Sequence, residues 1–257
     1  MRILAIGDVV GEVGCSFLRT KLPRLKKEKN IDLVIANGEN SDKYNGITPY
    51  SEEYLFSSGV DVITSGNHAF KSRESTLMFE GSEFLIRPAN FPSSLTPGKG
   101  YCIVDLLHTQ VCVINLMGTV YMESLDSPFK TIDRILRETE HIKIRLIDFH
   151  AEATAEKRAM GFYTDGRVSA IFGTHTHIQT ADETILPKGT GYITDLGMTG
   201  AINSVLGITY ESALYRMKYK LPCKFEQAGG DAKMDCMLMD IDEKTGKTVS
   251  LERLQIV

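Results

Sequence analysis

The sequence predicts an α/β fold, with a mixed sheet or two packed sheets inside and helices outside. Three observations predict it. Short apolar runs alternate with amphipathic stretches through the first half of the 257 residues. Later apolar runs are spaced as hairpins, with the turn Asp242-Glu243-Lys244-Thr245-Gly246-Lys247 between the last two. Composition is globular, at 42% apolar and 24% charged, with no biased tract.

The expected strands are residues 2–6, 33–36, 60–64, 101–107, 111–116, 143–149, 168–172, 191–194, 234–240 and 249–255. A helix over 14–29 turns Phe17, Leu18, Leu22 and Leu25 inward, with Pro23 predicting a kink or a late start. Shorter helices are expected over 50–58 and 71–80. A further helix over 128–140 places Phe129, Ile132, Ile135 and Leu136 on one face. The turn-rich stretch 88–100 reads as an ordered loop, too short for a domain boundary. With no repeat or linker, a single domain over residues 1–257 is expected.

Bulk charge narrows the function. The net charge of −4 offers no broad basic field for a nucleic-acid backbone, so no stable nucleic-acid complex is expected. Small phosphorylated substrates remain open. The five cysteines are scattered and never spaced as CxxC, which argues against a disulfide framework or a thiolate zinc site. The chain enters its first apolar run directly, and no run approaches the ~18–20 residues of a membrane span. A cytoplasmic protein without membrane partners is expected; a homo-oligomer is admissible.

The chemistry collects at strand ends. Asp8 follows ILAIG, Glu39 and Asn40 follow LVIANG, and Asn67 and His68 follow VITSG. His150 closes IRLIDFH, and His175 and His177 follow VSAIFGT. Taken singly, Asp8, Glu39 and Asn67-His68 read as turn residues and His150 as a packed core histidine. Only the HxH pair stands out alone. Five coincidences at matching positions change that reading, because loops at strand C-terminal ends form the ligand crevice of α/β sheets. Carboxylate, amide and imidazole together make an oxygen- and nitrogen-rich metal site. By contrast GDVVGEVG fits no phosphate-loop pattern and reads as a tight turn before a helix. His108 and His141 read as solvated, and the cysteines as core filler, Cys15 alone lying near the first loop.

These residues carry a resemblance. GD at Gly7, GNH at Gly66, His150 and GTHTH at Gly173 resemble the calcineurin-type metallophosphoesterases, whose pattern runs D-x-H, GD, GNH-[DE], H and GH-x-H. Three positions depart from it: Val10 for a histidine, Gly38-Glu39-Asn40 for the bridging aspartate, and Ala69 for an acid. Those departures resemble the bacterial YmdB-type subfamily. The likeness extends through GDVVG, ANGEN at Ala36, TSGNH at Thr64, RPAN at Arg87, DFHAEATAEK at Asp148, GTHTHIQTAD and TDLGMTG at Thr194. Thr119 stands where an arginine is expected.

The resemblance implies a four-layer α/β/β/α sandwich, two mixed sheets flanked by helices. It implies two divalent or trivalent metal ions per chain, one held by Asp8, Glu39, Asn40 and His177, the other by Glu39, Asn67, His150 and His175. Glu39 bridges, and His68 is the catalytic histidine. Ligands without thiolate suit Mn or Fe. Two metals about 3.5–4 Å apart would deprotonate a bridging water and clamp a phosphate for in-line attack. The implied activity is a phosphodiesterase, on 2′,3′- or 3′,5′-cyclic nucleotides, with substrate contacts expected from loops 121–128 and 197–203. The rival readings are a phosphomonoesterase or protein phosphatase on the same core, an RNA-processing phosphodiesterase, and a non-catalytic metal-binding regulator.

Overall fold

A computed structural model describes every residue except Tyr44, Ser93 and Ser94. The chain runs through β1 (Arg2–Ile6), β2 (Asp8–Val9), α1 (Gly11–Lys29), β3 (Leu33–Asn37), α2 (Pro49–Ser57), β4 (Val62–Thr64) and α3 (Arg73–Gly81). Next come β5 (Tyr101–Asp105), β6 (Gln110–Met117), α4 (Pro128–Glu138), β7 (Ile144–His150), α5 (Thr154–Thr164) and β8 (Ala170–Thr174). The last third holds β9 (Thr184–Ile185), β10 (Gly191–Ile193), β11 (Met198–Ala201), α6 (Tyr210–Tyr219), β12 (Ala232–Ile241) and β13 (Thr248–Ile256).

The strands form two mixed sheets. One has the order β2-β11-β12-β1-β3-β4, with β13 paired to β12; the other is β5-β6-β7-β8-β10-β9. Within them β1, β3 and β4 run parallel, as do β6, β7, β8 and β10. Three apolar layers tie the structure together. Ile3, Ala5, Leu33, Ile35 and Val62 of the first sheet meet Val113, Leu146 and Phe172 of the second. Leu4, Ile6 and Val34 face outward onto Leu18 and Leu22 of α1 and Leu55 of α2. Ile114, Ile147 and Ile171 face outward onto Ile132 and Ile135 of α4 and Met160 of α5. Three cores between four layers make the α/β/β/α sandwich. Because the central strands are buried on both faces, they read as unbroken apolar runs, not as an alternation.

The expected helices form with shifted ends. Helix α1 starts three residues earlier than expected, at Gly11, whose φ of +61 suits glycine. It continues through Pro23, carried by burial of Leu18, Leu22 and Leu25. Pro49 and Pro128 sit in the first turns of α2 and α4, where a missing N–H costs nothing. Apart from Ser93 and Ser94, which lie outside the described residues, the 88–100 loop is closed by Arg87. Its guanidinium donates to the carbonyls of Pro88, Thr96 and Pro97. No helix among the described residues is long and apolar enough to cross a membrane.

Register brings the strand ends together. Ile6 pairs with Ala36, Asn37 with Thr64 and His150 with Thr174, so the loops that follow β1, β3, β4, β7 and β8 leave from aligned positions.

Candidate metal centre

All eight singled-out residues converge. Glu39, 1% exposed, is the hub: its Oε1 lies 3.1 Å from His150 Nε2 and 3.2 Å from His68 Nδ1. Its Oε2 accepts the main-chain N–H of His68 at 3.0 Å, and Asn40 Nδ2 donates to Oε1 at 3.3 Å. On one side, Asn67 Oδ1 and His175 Nδ1 each lie 3.0 Å from His150 Nε2. On the other, His177 Nε2 lies 3.3 Å from Asn40 Nδ2 and 3.5 Å from Asp8 Oδ1. Donor atoms of Glu39, His150 and His175 all fall within 4.8 Å of one another, close enough to hold one ion. The absent acid after GNH is explained: Asn40 Oδ1, at 3.1 Å, and Glu39 orient the His68 ring from the same side.

Whether this set fits a metal can be judged from its donors. Asp8 is fully buried, and its Oδ1 has no hydrogen-bond partner, a costly arrangement for a carboxylate unless a cation faces it. His177 donates Nδ1–H to the Leu206 carbonyl at 3.0 Å, which leaves Nε2 as the lone pair facing Asp8. His150 is fixed the same way. The Thr174 hydroxyl donates to Asp148 Oδ1 at 2.6 Å, so it accepts from His150 Nδ1 at 2.9 Å and leaves Nε2 facing Glu39. Oxygen and imidazole donors therefore point inward while their outer atoms are tied down, which is what a metal cage requires. The residues fit.

The charges are strongly coupled. Burial disfavours both ions of the Glu39–His150 pair. The mutual attraction and hydrogen bond, with His68, still hold Glu39 well below the usual carboxylate range, and His150 is pushed up to about 9. Burial and the His150 charge push His175 down to about 4. Burial also opposes the charge on Asp8, but His177 outweighs it and lowers Asp8. Asp148 goes the other way, to about 6, because burial dominates there.

Several supporting residues escaped the sequence reading. Asp148 accepts from Thr64 and Thr174 hydroxyls and from Asn37 Nδ2 at 3.2 Å, bridging the two sheets beneath the site. Lys157 is 1% exposed, and its Nζ lies 2.6 Å from Asp195 Oδ2 and 2.8 Å from the Thr174 carbonyl. Asp195 also accepts the Thr176 N–H at 3.1 Å. These bonds clamp a strained loop, since His175 and His177 have φ of +101 and +64. Their positions fall inside the quoted strings ANGEN, TSGNH, DFHAEATAEK, GTHTH and TDLGMTG, but nothing in those strings gave them a role.

Above the donors lies a crevice of about 310 Å³, walled by Val10, Asn45, Glu152, Leu206, Ile208 and Gln227. Loops 121–128 and 197–203, where substrate contacts are expected, are not among the residues that line it. Leu206, Ile208 and Gln227 come from the stretch between β11 and β12, whose turn is fixed by Val205–Ile208 and Ile208–Gln227 bridges. Thr119 is not part of it; its N–H and hydroxyl both donate to Glu156. His108 and His141 are exposed. Cys15 is buried, its thiol pushed up to about 12 by burial and bonded to the Ser41 carbonyl. It is no ligand here.

A family model described as "YmdB-like protein" matches residues 4–254. A 2′,3′-cyclic-nucleotide 2′-phosphodiesterase of Bacillus subtilis (strain 168) is 45% identical, the alignment covering 100% of this chain and 97% of that protein. A solved structure described as a novel phosphatase from Mycoplasma pneumoniae superposes with a TM-score of 0.95 at 32% identity, over 100% of this chain and 93% of the other. The 5′-nucleotidase precursor of Thermus thermophilus superposes with a TM-score of 0.62 at 12% identity, over 100% of this chain and 54% of that one, a likeness of fold alone.

Proposed function

This chain belongs to the YmdB-like family and is a metallophosphoesterase, and on that premise we propose that its substrates are phosphodiesters, 2′,3′- or 3′,5′-cyclic nucleotides first among them. One observation carries the choice of a diester. The described residues lining the crevice include no lysine or arginine, but they do include Glu39 and Glu152. A diester brings one negative charge and a monoester two near neutral pH; without a basic clamp the diester is the better match. The activity borne by the Bacillus subtilis relative's name supports the same reading.

In this reading Asp8, Glu39, Asn40 and His177 hold one ion, and Glu39, Asn67, His150 and His175 hold the other. Two such ions supply a nucleophile at neutral pH and neutralise charge on the phosphoryl oxygens. Mixed oxygen and nitrogen donors without thiolate favour Mn or Fe. The chain itself does the rest. In the metal-free chain the charges on His177, His150 and His68 favour the ionised forms of Asp8 and Glu39. Asn40 and Glu39 engage Nδ1 of His68, leaving Nε2 to protonate the departing oxygen. Val10, Leu206 and Ile208 give the crevice an apolar side.

The test is to incubate Mn²⁺-loaded protein with cyclic mononucleotides and, separately, with linear nucleoside monophosphates. Cyclic substrates should open to monophosphates. Phosphate release from the monophosphates with cyclic substrates untouched would replace this reading with a phosphatase. Replacing His68 with alanine should lower kcat on the order of 10²–10⁴-fold with both ions retained. Loss of metal in that variant would make His68 a ligand instead.

A further inference from the structure

We infer that Glu152 is a positioning residue that orients the His175 ring and turns its Nδ1 lone pair into the metal cage. This rests on the dinuclear reading above. Glu152 lies between β7 and α5, and its Oε2 is 3.1 Å from His175 Nε2. An ionised carboxylate only accepts, so the proton sits on Nε2. The lone pair then belongs to Nδ1, the nitrogen 3.0 Å from His150 Nε2, on the side of the ring where the donor atoms of Glu39 and His150 gather.

The three imidazoles form a series. His150 gives its outer N–H to a buried hydroxyl, and His177 gives its own to a main-chain carbonyl. Both acceptors are fixed by the fold. His175 instead relies on a side chain that is 51% exposed. Its backbone is held in the left-handed region, where Asp8 Oδ2 accepts the His175 N–H at 3.1 Å, but that bond leaves the ring free to rotate about χ1 and χ2. Glu152 supplies the missing restraint. A carboxylate behind an imidazole also raises the basicity of the opposite nitrogen, and loss of such a partner typically weakens metal binding ~10–100-fold.

Because Glu152 is half exposed and outside the three cores, Glu152→Ala and Glu152→Gln should fold normally, which a melting curve checks. Mn²⁺ titration, followed by the resonance signal of free Mn²⁺, should show one ion bound as in the unmodified chain and the other weakened ~10–100-fold in Glu152→Ala. Glutamine keeps an acceptor oxygen without the charge, so it should recover part of the loss. In metal-free protein with ¹⁵N-labelled histidine, the His175 Nε2 signal should report a protonated nitrogen, and the alanine variant should move toward tautomer averaging. Equal affinity for both ions in all three proteins, with unchanged ¹⁵N shifts, overturns the inference. If the unmodified chain takes up one ion only, the dinuclear reading falls. The same comparison on that ion then still decides the role of Glu152.

Discussion

Glu39→Gln should abolish phosphodiesterase activity while leaving the fold intact. The substitution keeps shape and volume, so packing is not the issue. What changes is the character of two buried oxygens. Glu39 Oε1 faces nitrogens of His150, His68 and Asn40, and Oε2 faces the His68 N–H. An amide must turn its NH₂ toward one of these groups, several of which are donors, and it carries no charge to balance two cations. With the shared ligand lost, bound metal should fall from near two ions per chain to one or fewer. Turnover should drop by about 10³-fold or more, several kcal/mol of lost charge stabilisation. Elemental analysis, bis-p-nitrophenyl phosphate hydrolysis and a melting curve on metal-free protein read the three consequences separately. Normal turnover with two ions bound would mean that Glu39 is not the shared ligand.

The convergence of Asp8, Glu39, Asn40, Asn67, His68, His150, His175 and His177 was legible because each follows or ends an apolar run, the position where side chains of parallel strands gather. The strands themselves were legible for the opposite reason. Ile3 to Ile6 or Leu33 to Ala36 are buried on both faces and show no polar interruption. The two-residue strands β2 and β9 carry too little pattern to be found, and the four-residue β11, Met198–Ala201, holds Thr199 and Gly200 in place of an apolar run. Helix α5 was missed because its inward face holds Glu156 and Lys157, which mask the apolar period. Helix α6 was missed because Leu214, Tyr215, Met217 and Tyr219 are all exposed, so it has no single apolar face. The supporting shell was hidden for a related reason. Asp148 alternates with Ile147 and Phe149 in β7 like any inward strand residue, and nothing local marks it as the acceptor behind His150. The part that Leu206 and Gln227 play in the crevice was not legible, because they reach the site through tertiary bridges that no local signal reports.

The second large effect comes from a single methyl group. Gly66 stands where the chain leaves β4 for Asn67 and His68, and a Cβ there would lie 2.2 Å from His150 Cδ2, 2.3 Å from His150 Nε2 and 2.5 Å from Glu39 Oε2. Its φ is not in the left-handed region, so the requirement is for space, not for backbone freedom. None of the three atoms can retreat cheaply. His150 is fully buried, its ring held from behind by Thr174, and Glu39 is pinned by four nitrogens. Gly66→Ala must therefore displace either the ring or the carboxylate from the position where their lone pairs meet. A shift on the order of 1 Å is enough to cost about 10²-fold in a positioned site, and here it strikes two of the proposed ligands at once. The expected result is loss of at least one ion and a fall in activity comparable to that of Glu39→Gln, with about 1–3 kcal/mol of destabilisation from overpacking. Gly81→Ala is the control, because a Cβ there meets nothing within 4 Å at the end of α3. That variant should bind metal normally and melt no lower than the parent, alanine being the better helix residue by roughly 0.5–1 kcal/mol. Should Gly66→Ala keep both ions and full turnover, the close approach of the β4 loop to His150 and Glu39 would not exist in solution, and the tight cage described above would have to be redrawn.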